Sequence, residues 1–339
     1  MPNTLTQLAY LSTTKLAKGI AQTIINESPF IARMSFITIS GNAYAYNMQT
    51  TASVPNFYSI NETITESVPV WAQRSVALVK FINDADLDKY IQQTRSNEQD
   101  IEAAIIELAT LDFKDKFEET VIYGGTTTTA STKEFKGLMV QLAEAETASA
   151  TLATDWDVSD NGQLVDLGAA ASASTALTMA GMDELIDKVK PGRPDVLITG
   201  RRTRRKLNAL LRATGSTGSG VQVAQMDAFG RAVELYDGIP LIICDHVPEN
   251  IQDPTSSIVT LTSYSKATTR AAAYDNSVVF ALKWGERGIC GVQNGGIQVE
   301  PLGTLETKDS TRTRIKWYMG MTNFAQKSIA GLVNYCPTD

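Results

Sequence analysis

The chain has 339 residues, enough for one elaborate domain or two to three smaller ones, each with its own core. Apolar residues make up 43% and charged residues 20%, a balance that excludes general disorder and is ordinary for a folded soluble protein. A net charge of −7 and a pI near 5.0 argue against a protein whose main task is gripping nucleic acid, because that task needs a cationic surface.

The first 33 residues read as an arm. A short amphipathic helix is expected at Leu16, Ile20, Ile24 and Ile25 before a break at Ser28-Pro29, and an arm with few core contacts of its own is expected to lie on a neighbour. Two strand-like runs follow, Phe36 to Met48 and Val68 to Phe81, separated by the polar stretch Gln49 to Ser67 with isolated apolar residues at Val54, Phe57, Tyr58 and Ile64. The pattern predicts a long two-stranded hairpin with an extended tip. Such a ribbon is marginal in water, so packing against another chain is expected.

A short helix is predicted after Asn83 (Leu87, Tyr90, Ile91), leading into a long amphipathic helix from Ser96 to Tyr123. Ser96 with Gln99 forms a capping-box signature, and apolar rows run through Ile101, Ile105 and Leu108 beside Ile106, Ala109, Phe113 and Phe117. Glu98, Asp100 and Glu102 suit the N-terminal end of the helix dipole, and Gly124-Gly125 ends the run. About 26 residues give roughly 40 Å, long enough to act as the beam on which the rest is built.

Thr126 to Thr129 reads as a turn, and Phe135-Lys136-Gly137-Leu138-Met139 as a return to core. The Ala/Ser/Thr-rich stretch Ala143 to Ala180 reads as a surface excursion or a weak helix. From Met182 the order is helix (Leu185, Ile186, Val189), turn (Pro191-Gly192-Arg193-Pro194), strand (Val196 to Ile198) and helix (Leu207, Leu210, Leu211), an α/β unit. A Gly/Ser loop, Gly215 to Gly220, comes next, then a hairpin turning at Asp237-Gly238. Strands are expected at Ile258–Leu261, Val278–Leu282, Ile289–Val292, Ile297–Val299 and Thr311–Met319, the last with Thr313, Ile315, Trp317 and Met319 alternating against Arg312, Arg314, Lys316 and Tyr318.

Catalytic chemistry finds little support. The single histidine, His246, lies beside Asp245 with Cys244 two residues away, but no G-x-S-x-G elbow accompanies it, and a surface or capping role is the expectation. One histidine and three scattered cysteines, Cys244, Cys290 and Cys336, match no zinc spacing and no disulfide framework. Buried free thiols in a reducing compartment are expected, and neither a metal nor a cofactor. Gly285, Gly288 and Gly291 lie in a strand region and read as turn and bulge glycines; no phosphate-binding loop signature occurs. The chain opens without a basic signal-peptide region, and no apolar run approaches the ~18 residues of a membrane span, so no membrane partner is expected and the sequon at Asn61 carries no weight.

One electrostatic feature stands out. Arg201, Arg202, Arg204, Arg205 and Lys206 crowd the start of a helix, where exposed cations oppose the dipole by about 0.3–1 kcal/mol each. Something outside that helix must offset them. The readings are a solubilising face, docking onto an acidic surface such as the long helix of another subunit, or contact with DNA.

In their order, these elements resemble the tailed-bacteriophage major capsid proteins of the HK97-like fold. Pro2–Arg33 looks like the N-terminal arm, Phe36–Phe81 like the extended hairpin loop, Ser96–Tyr123 like the spine helix, and Gly124-Gly125 to Phe135-Lys136-Gly137-Leu138 like the glycine turn and Phe-Gly segment after it. Met182–Pro248 looks like the α/β axial domain and Val278–Met319 like the closing long strands. The most family-like words are Asp195-Val196-Leu197-Ile198-Thr199, and Asp237-Gly238-Ile239-Pro240-Leu241 before Asp245-His246-Val247-Pro248. The resemblance implies an α+β fold with an arm at 1–35, a hairpin loop at 36–82, a peripheral domain from 83–180 and 276–320, and an axial domain from 181–275 and 321–339.

It also implies a structural role without catalysis: hexamers and pentamers of an icosahedral head around double-stranded DNA, found in the virion and assembled in the host cytoplasm. The implied partners are other copies of the chain, separate scaffolding and portal proteins, a decoration protein where one is present, and packaged DNA held non-specifically. Subunit contacts are expected at Leu16 and Ile20 of the arm, at Val54, Phe57, Tyr58, Glu62, Ile64, Glu66 and Trp71 of the hairpin, and at Arg201, Arg204 and Arg205. An encapsulin-type compartment enclosing a cargo enzyme is the alternative on the same fold, and an α/β enzyme using His246 and Cys244 the alternative from another class.

The sequence departs from the family in two ways. Members processed by a maturation protease carry a long helical scaffold segment before the arm, whereas here the arm begins almost at Met1, which implies a separate scaffolding protein or none. Members that weld their shells covalently use a hairpin-loop lysine, and Gly41 to Val79 contains none.

Overall fold

The computed structural model describes residues 33–51, 53–95, 101–125, 133–146, 155–157, 162–167, 175–213, 221–226, 232–248, 258–260 and 277–336. The expected arm helix with Leu16 and Ile20, and the Ser96/Gln99 capping pair, lie outside them. In chain order the described strands are β1 (Phe36–Thr38), β2 (Ala43–Thr51), β3 (Val70–Ala77), β4 (Val79–Asp88), β5 (Asp155–Asp157), β6 (Leu164–Asp166), β7 (Thr175–Ala176) and β8 (Val196–Thr199). They continue with β9 (Val221–Met226), β10 (Ala232–Tyr236), β11 (Ile239–Ile243), β12 (Ile258–Thr260), β13 (Ser277–Leu282), β14 (Ile289–Thr304), β15 (Ser310–Asn323) and β16 (Ile329–Cys336). The helices are α1 (Lys89–Arg95), α2 (Ile101–Tyr123), α3 (Leu138–Glu146), α4 (Met179–Lys188) and α5 (Arg201–Ala213).

The 23 residues of α2 run for about 35 Å. Ile101, Ile105, Ala109, Phe113 and Phe117 form its buried stripe, whereas Ile106 and Leu108 are only half covered. Phe113 packs on Phe81 of β4 and Phe117 on Trp317 of β15, with ring centroids 4.0 and 5.2 Å apart, so the helix lies across the four-stranded sheet β1-β14-β15-β4. At its C-terminus Gly125 takes a positive φ of 72°, and a Cβ on Gly124 would come within 2.3 Å of the Phe135 carbonyl oxygen. The Gly137 amide donates to the Gly124 carbonyl oxygen at 2.7 Å, so the two segments touch backbone to backbone.

The alternation expected in β15 is present. Thr313, Ile315, Trp317 and Met319 are buried, and their neighbours Arg312, Arg314 and Lys316 pair on the wet face with Asp86, Asp84 and Glu300. That ladder explains a departure from the sequence reading: Asn83 to Asp88 is strand, and α1 begins only at Lys89. Ala85 and Leu87 point inward while Asp84 and Asp86 meet Arg314 and Arg312 in register, a period of two that a helix cannot supply.

The hairpin is also shorter than expected. Phe36–Thr38 leaves it to run parallel to β14, because the Phe36 ring sits directly on Gly291, where a Cβ would come within 2.4 Å of the ring. Val79–Phe81 belongs to β4. The ribbon proper is β2 with β3, from the Ala43–Ala77 pair outward.

The larger sheet runs β6-β16-β13-β8-β11-β10-β9, with β7 also on β16, and β5 pairs separately with β12. β8 and β13 are buried at every residue, as strands covered on both faces must be. Val196, Ile198, Val278, Phe280 and Leu282 face a core shared with α2 and α3; Leu197, Val279 and Ala281 face a second core with α4 and α5. β13 therefore belongs to this sheet, between β16 and β8. The expected turn between β10 and β11 has positive φ at both Asp237 (48°) and Gly238 (78°), which matches the twist of the hairpin.

Candidate assembly surface

The root of the hairpin is fixed to the protein. Tyr44 and Tyr46 of β2 pack edge-on against Phe324 just past β15, with centroids 5.9 and 4.9 Å away. The Tyr46 hydroxyl donates to the Asn323 carbonyl oxygen at 3.2 Å and accepts from the Thr322 hydroxyl at 3.1 Å. The Leu78 amide closes the base onto the Asn42 carbonyl oxygen at 2.8 Å.

The tip, residues 53–69, joins no strand ladder among the described residues and is held by side chains. The Tyr58 hydroxyl donates to the Thr65 carbonyl oxygen at 3.0 Å and lies 3.2 Å from the Thr65 amide that donates to it. The Glu62 carboxylate accepts from the Ser59 amide at 2.7 Å, and the Ser67 hydroxyl accepts from the Val54 amide at 2.9 Å. Tyr58 and Glu62, both expected at subunit contacts, thus also shape the tip within their own chain. Glu66 is exposed.

The apolar tip residues are left in water. Phe57 is wholly exposed, Ile60 is 95% exposed, and Val54, Ile64, Val68 and Trp71 are exposed by 60% or more. Burying one such side chain fully is worth about 1.5–3 kcal/mol. Their placement on a ribbon with a fixed base makes them a candidate contact for another molecule. Ile60, missing from the sequence-based candidates, stands beside Asn61 at the apex, where a positive φ of 68° turns the chain. Its position next to Asn61-Glu62 was the signal available in the sequence.

The basic helix α5 finds its counter-charges inside the chain. Arg201 forms a two-point pair with Asp245, its Nη2 2.8 Å from Oδ2. The register of β8 against β11, with Thr199 opposite Ile243, explains the meeting, because each residue lies two positions beyond its strand partner. The Arg204 Nε is 2.8 Å from both carboxylate oxygens of Glu234 on β10, and that hydrogen bond holds the carboxyl below its usual range. Asp245 and Glu234, both outside the helix, thus offset two of its cations within the chain. Arg205 is exposed. On the inner side of the helix, the Thr203 hydroxyl sits 2.8 Å from that of Tyr335, both buried.

His246 and Cys244 do not form a nucleophile and base. Burial, followed by the nearby Glu118, pushes the Cys244 thiol up to about 12, so it stays protonated. The His246 ring, mostly covered, turns instead to α2, with Nε2 2.9 Å from Asp115 Oδ1. Cys244 and Cys290 are both buried free thiols. Among the described residues no group of three or more His, Cys, Asp or Glu side chains could hold a metal ion, and no helix is long and apolar enough to cross a membrane.

No protein-family model matches the chain, and no curated protein matches it. Its structure is similar to that of the holo-SrpI encapsulin complex from Synechococcus elongatus PCC 7942, with a TM-score of 0.63 at 16% identity over 93% of this chain and 90% of that one. The cyanophage A-1(L) capsid gives a TM-score of 0.63 at 14% identity over 91% and 93%. The capsid of an empty GTA particle gives 0.58 at 12% identity over 90% and 89%. At these identities the likeness is one of fold: the mixed α+β fold of HK97-like capsids and encapsulins.

Proposed function

We propose that this chain is a major capsid protein, the structural subunit of a tailed-phage head that assembles into hexamers and pentamers around double-stranded DNA. The carrying observation is the hairpin: its root is fixed by Tyr44, Tyr46 and Phe324, while its tip holds large apolar side chains in water. That arrangement suits a contact made only in an assembly. In this reading α2 is the spine helix, the four-stranded sheet and α2 form the peripheral domain, and the larger sheet with α4 and α5 forms the axial domain. The proposed partners are scaffolding and portal proteins, a decoration protein where one is present, and packaged DNA, which a net charge of −7 keeps from being held tightly.

The encapsulin reading shares the fold, and the cyanobacterial encapsulin supports it as well as the cyanophage capsid supports the first. Electron microscopy of native particles decides between them. DNA-filled heads with tails are expected, protein-filled shells without tails would favour the compartment, and a chain that stays monomeric or dimeric at all concentrations overturns both.

A further inference from the structure

An open cavity of about 400 Å³ lies where α4 ends beside the start of β16, a size within the range of small-molecule sites. Its lining includes Gln163, Glu184, Asp187, Lys188, Lys190 and Lys327. The floor is fixed by hydrogen bonds. The Gln163 side chain, directly before β6, is 5% exposed, and the amide orientation that suits its neighbours lets Nε2 donate to the carbonyl oxygens of Lys188 at 3.2 Å and Ile329 at 2.9 Å. The Gly331 amide donates to the Gln163 carbonyl oxygen at 3.0 Å, and the Lys190 amide to that of Lys327 at 2.9 Å. One buried side chain thus ties the end of α4 to β16. Lys188, Lys190 and Lys327 leave this floor from neighbouring backbone positions, and only their side chains are free to move.

The charges around the cavity are not answered within the chain. Among the described residues none of the five charged side chains forms an ion pair, although Glu184 and Lys188 stand four residues apart, acid before base, the spacing that favours pairing on a helix.

We infer that this cavity is a binding site for a small, multiply charged anion of the oligophosphate class. Two carboxylates alone would suit a metal cation, but three ammonium groups share the space, and a cation would be repelled by all of them. An anion there meets three charged donors, whose hydrogen bonds are stronger than neutral ones, and lysine serves a phosphate as a point charge that needs no fixed fork geometry. Glu184 and Asp187 are both exposed, and they repel whatever part of a longer polyanion extends past the lysines. The site therefore suits a compact anion and not a nucleic-acid strand. Held across Lys188, Lys190 and Lys327, the anion ties the end of α4 to the start of β16 from the solvent side, as Gln163 does from within. The site belongs to a single chain, so its test is independent of the shell reading.

Isothermal titration calorimetry of the full chain with inorganic triphosphate tests the assignment. Saturable binding at one site per chain is expected, with a melting temperature that rises with triphosphate concentration, because a ligand held by the folded state alone stabilises that state. Lys190→Gln with Lys327→Gln should weaken binding by about tenfold or more. Both side chains are exposed, so the melting temperature without ligand should stay as in wild type. Lys308→Gln, at an exposed lysine between β14 and β15, should bind as wild type does. Glu184→Gln with Asp187→Asn should bind more tightly, since it removes the opposing charges and leaves the amines in place. The absence of saturable binding overturns the inference, as does equal weakening in Lys308→Gln or a melting shift that sodium chloride reproduces at the same ionic strength. Weaker binding in the carboxylate variant, or tighter binding of a single-stranded oligonucleotide than of triphosphate, overturns it too.

Discussion

Tyr46 meets Phe324 edge to face, with centroids 4.9 Å apart and ring planes at 83°, and this pair joins the β2–β3 ribbon to the end of β15. Tyr44 adds a second ring at 5.9 Å. Aromatic pairs of this kind contribute about 0.5–1.5 kcal/mol each beyond their buried area. Phe324→Ala should therefore lower the melting temperature by only a few degrees while loosening the hairpin base. Particle yield should fall much further than stability does, and equal losses in thermal melts and in particle counts would argue that the ribbon has no special part in assembly.

Deleting Gln49 to Ser67 removes the exposed tip and leaves the root ring contacts of Tyr44 and Tyr46 in place. Because the tip side chains touch little of their own chain, the remaining protein should fold with an unchanged circular dichroism spectrum. Closed shells should not form. Normal shells from the deleted chain would show that the apolar tip is dispensable and that other contacts hold the assembly together.

Arg204 and Arg205 should separate folding from assembly. Arg204→Gln leaves Glu234, which is only partly exposed, without its two-point partner, so it should destabilise the fold by about 1–3 kcal/mol and in urea shift the unfolding midpoint downward. Arg205→Gln should unfold like wild type. If assembly draws on the basic helix, the loss appears in Arg205→Gln particles at low salt and resembles the effect of high salt on wild type, so the gap between the two narrows as salt rises.

How far the sequence could be read follows from the range of each signal. The alternation from Thr313 to Met319, the apolar runs of β8 and β13, the Asp237-Gly238 turn and the glycine end of α2 are local patterns, and the structure has them where the residues place them. Partners distant in sequence were not legible. Glu234 lies 30 residues from Arg204, and nothing in the spacing announces the pair, so the arginines read as seeking an external acid. Asn83 to Asp88 misled for a related reason: Leu87, Tyr90 and Ile91 fit a helical period, and only the facing arginines of β15 show that the chain is still strand. The hairpin's apolar tip was legible because apolar residues in a polar stretch stand out without any partner.

Acid should weaken the four-stranded sheet through Asp84 and Asp86. Hydrogen bonds from Arg314 and Arg312 hold both carboxyls below the usual carboxylate value of about 3.9. A lowered folded-state value means stability that is fully present above the unfolded value and is lost as pH falls through the folded one. Asp84→Asn with Asp86→Asn should thus melt below wild type at pH 7, and the gap should narrow as pH falls past the usual carboxylate value and through the lowered folded-state one. A gap that does not narrow would assign the loss to packing and not to charge.

The mature shell should contain no covalent bond between subunits. An isopeptide needs a lysine amine held against an amide or acid of another chain, and in the family the sequence resembles, that lysine sits on the hairpin loop. Between Gly41 and Val79 this chain offers only Arg74, whose guanidinium stays protonated and is a poor nucleophile. The nearest lysine, Lys80, lies on β4 opposite Tyr318, in the body of the four-stranded sheet and roughly 60 Å of extended chain from the apex. Of the three cysteines, Cys244 and Cys290 are buried, and burial pushes both thiols up, which disfavours their oxidation to disulfides. In the proposed shell, cohesion is then expected from non-covalent contacts such as those of the apolar tip. Particles boiled in detergent without reductant should run as a single band near 36.7 kDa. A ladder that survives added reductant would show that a lysine outside the hairpin welds the shell, and the reasoning from the loop would fail with it.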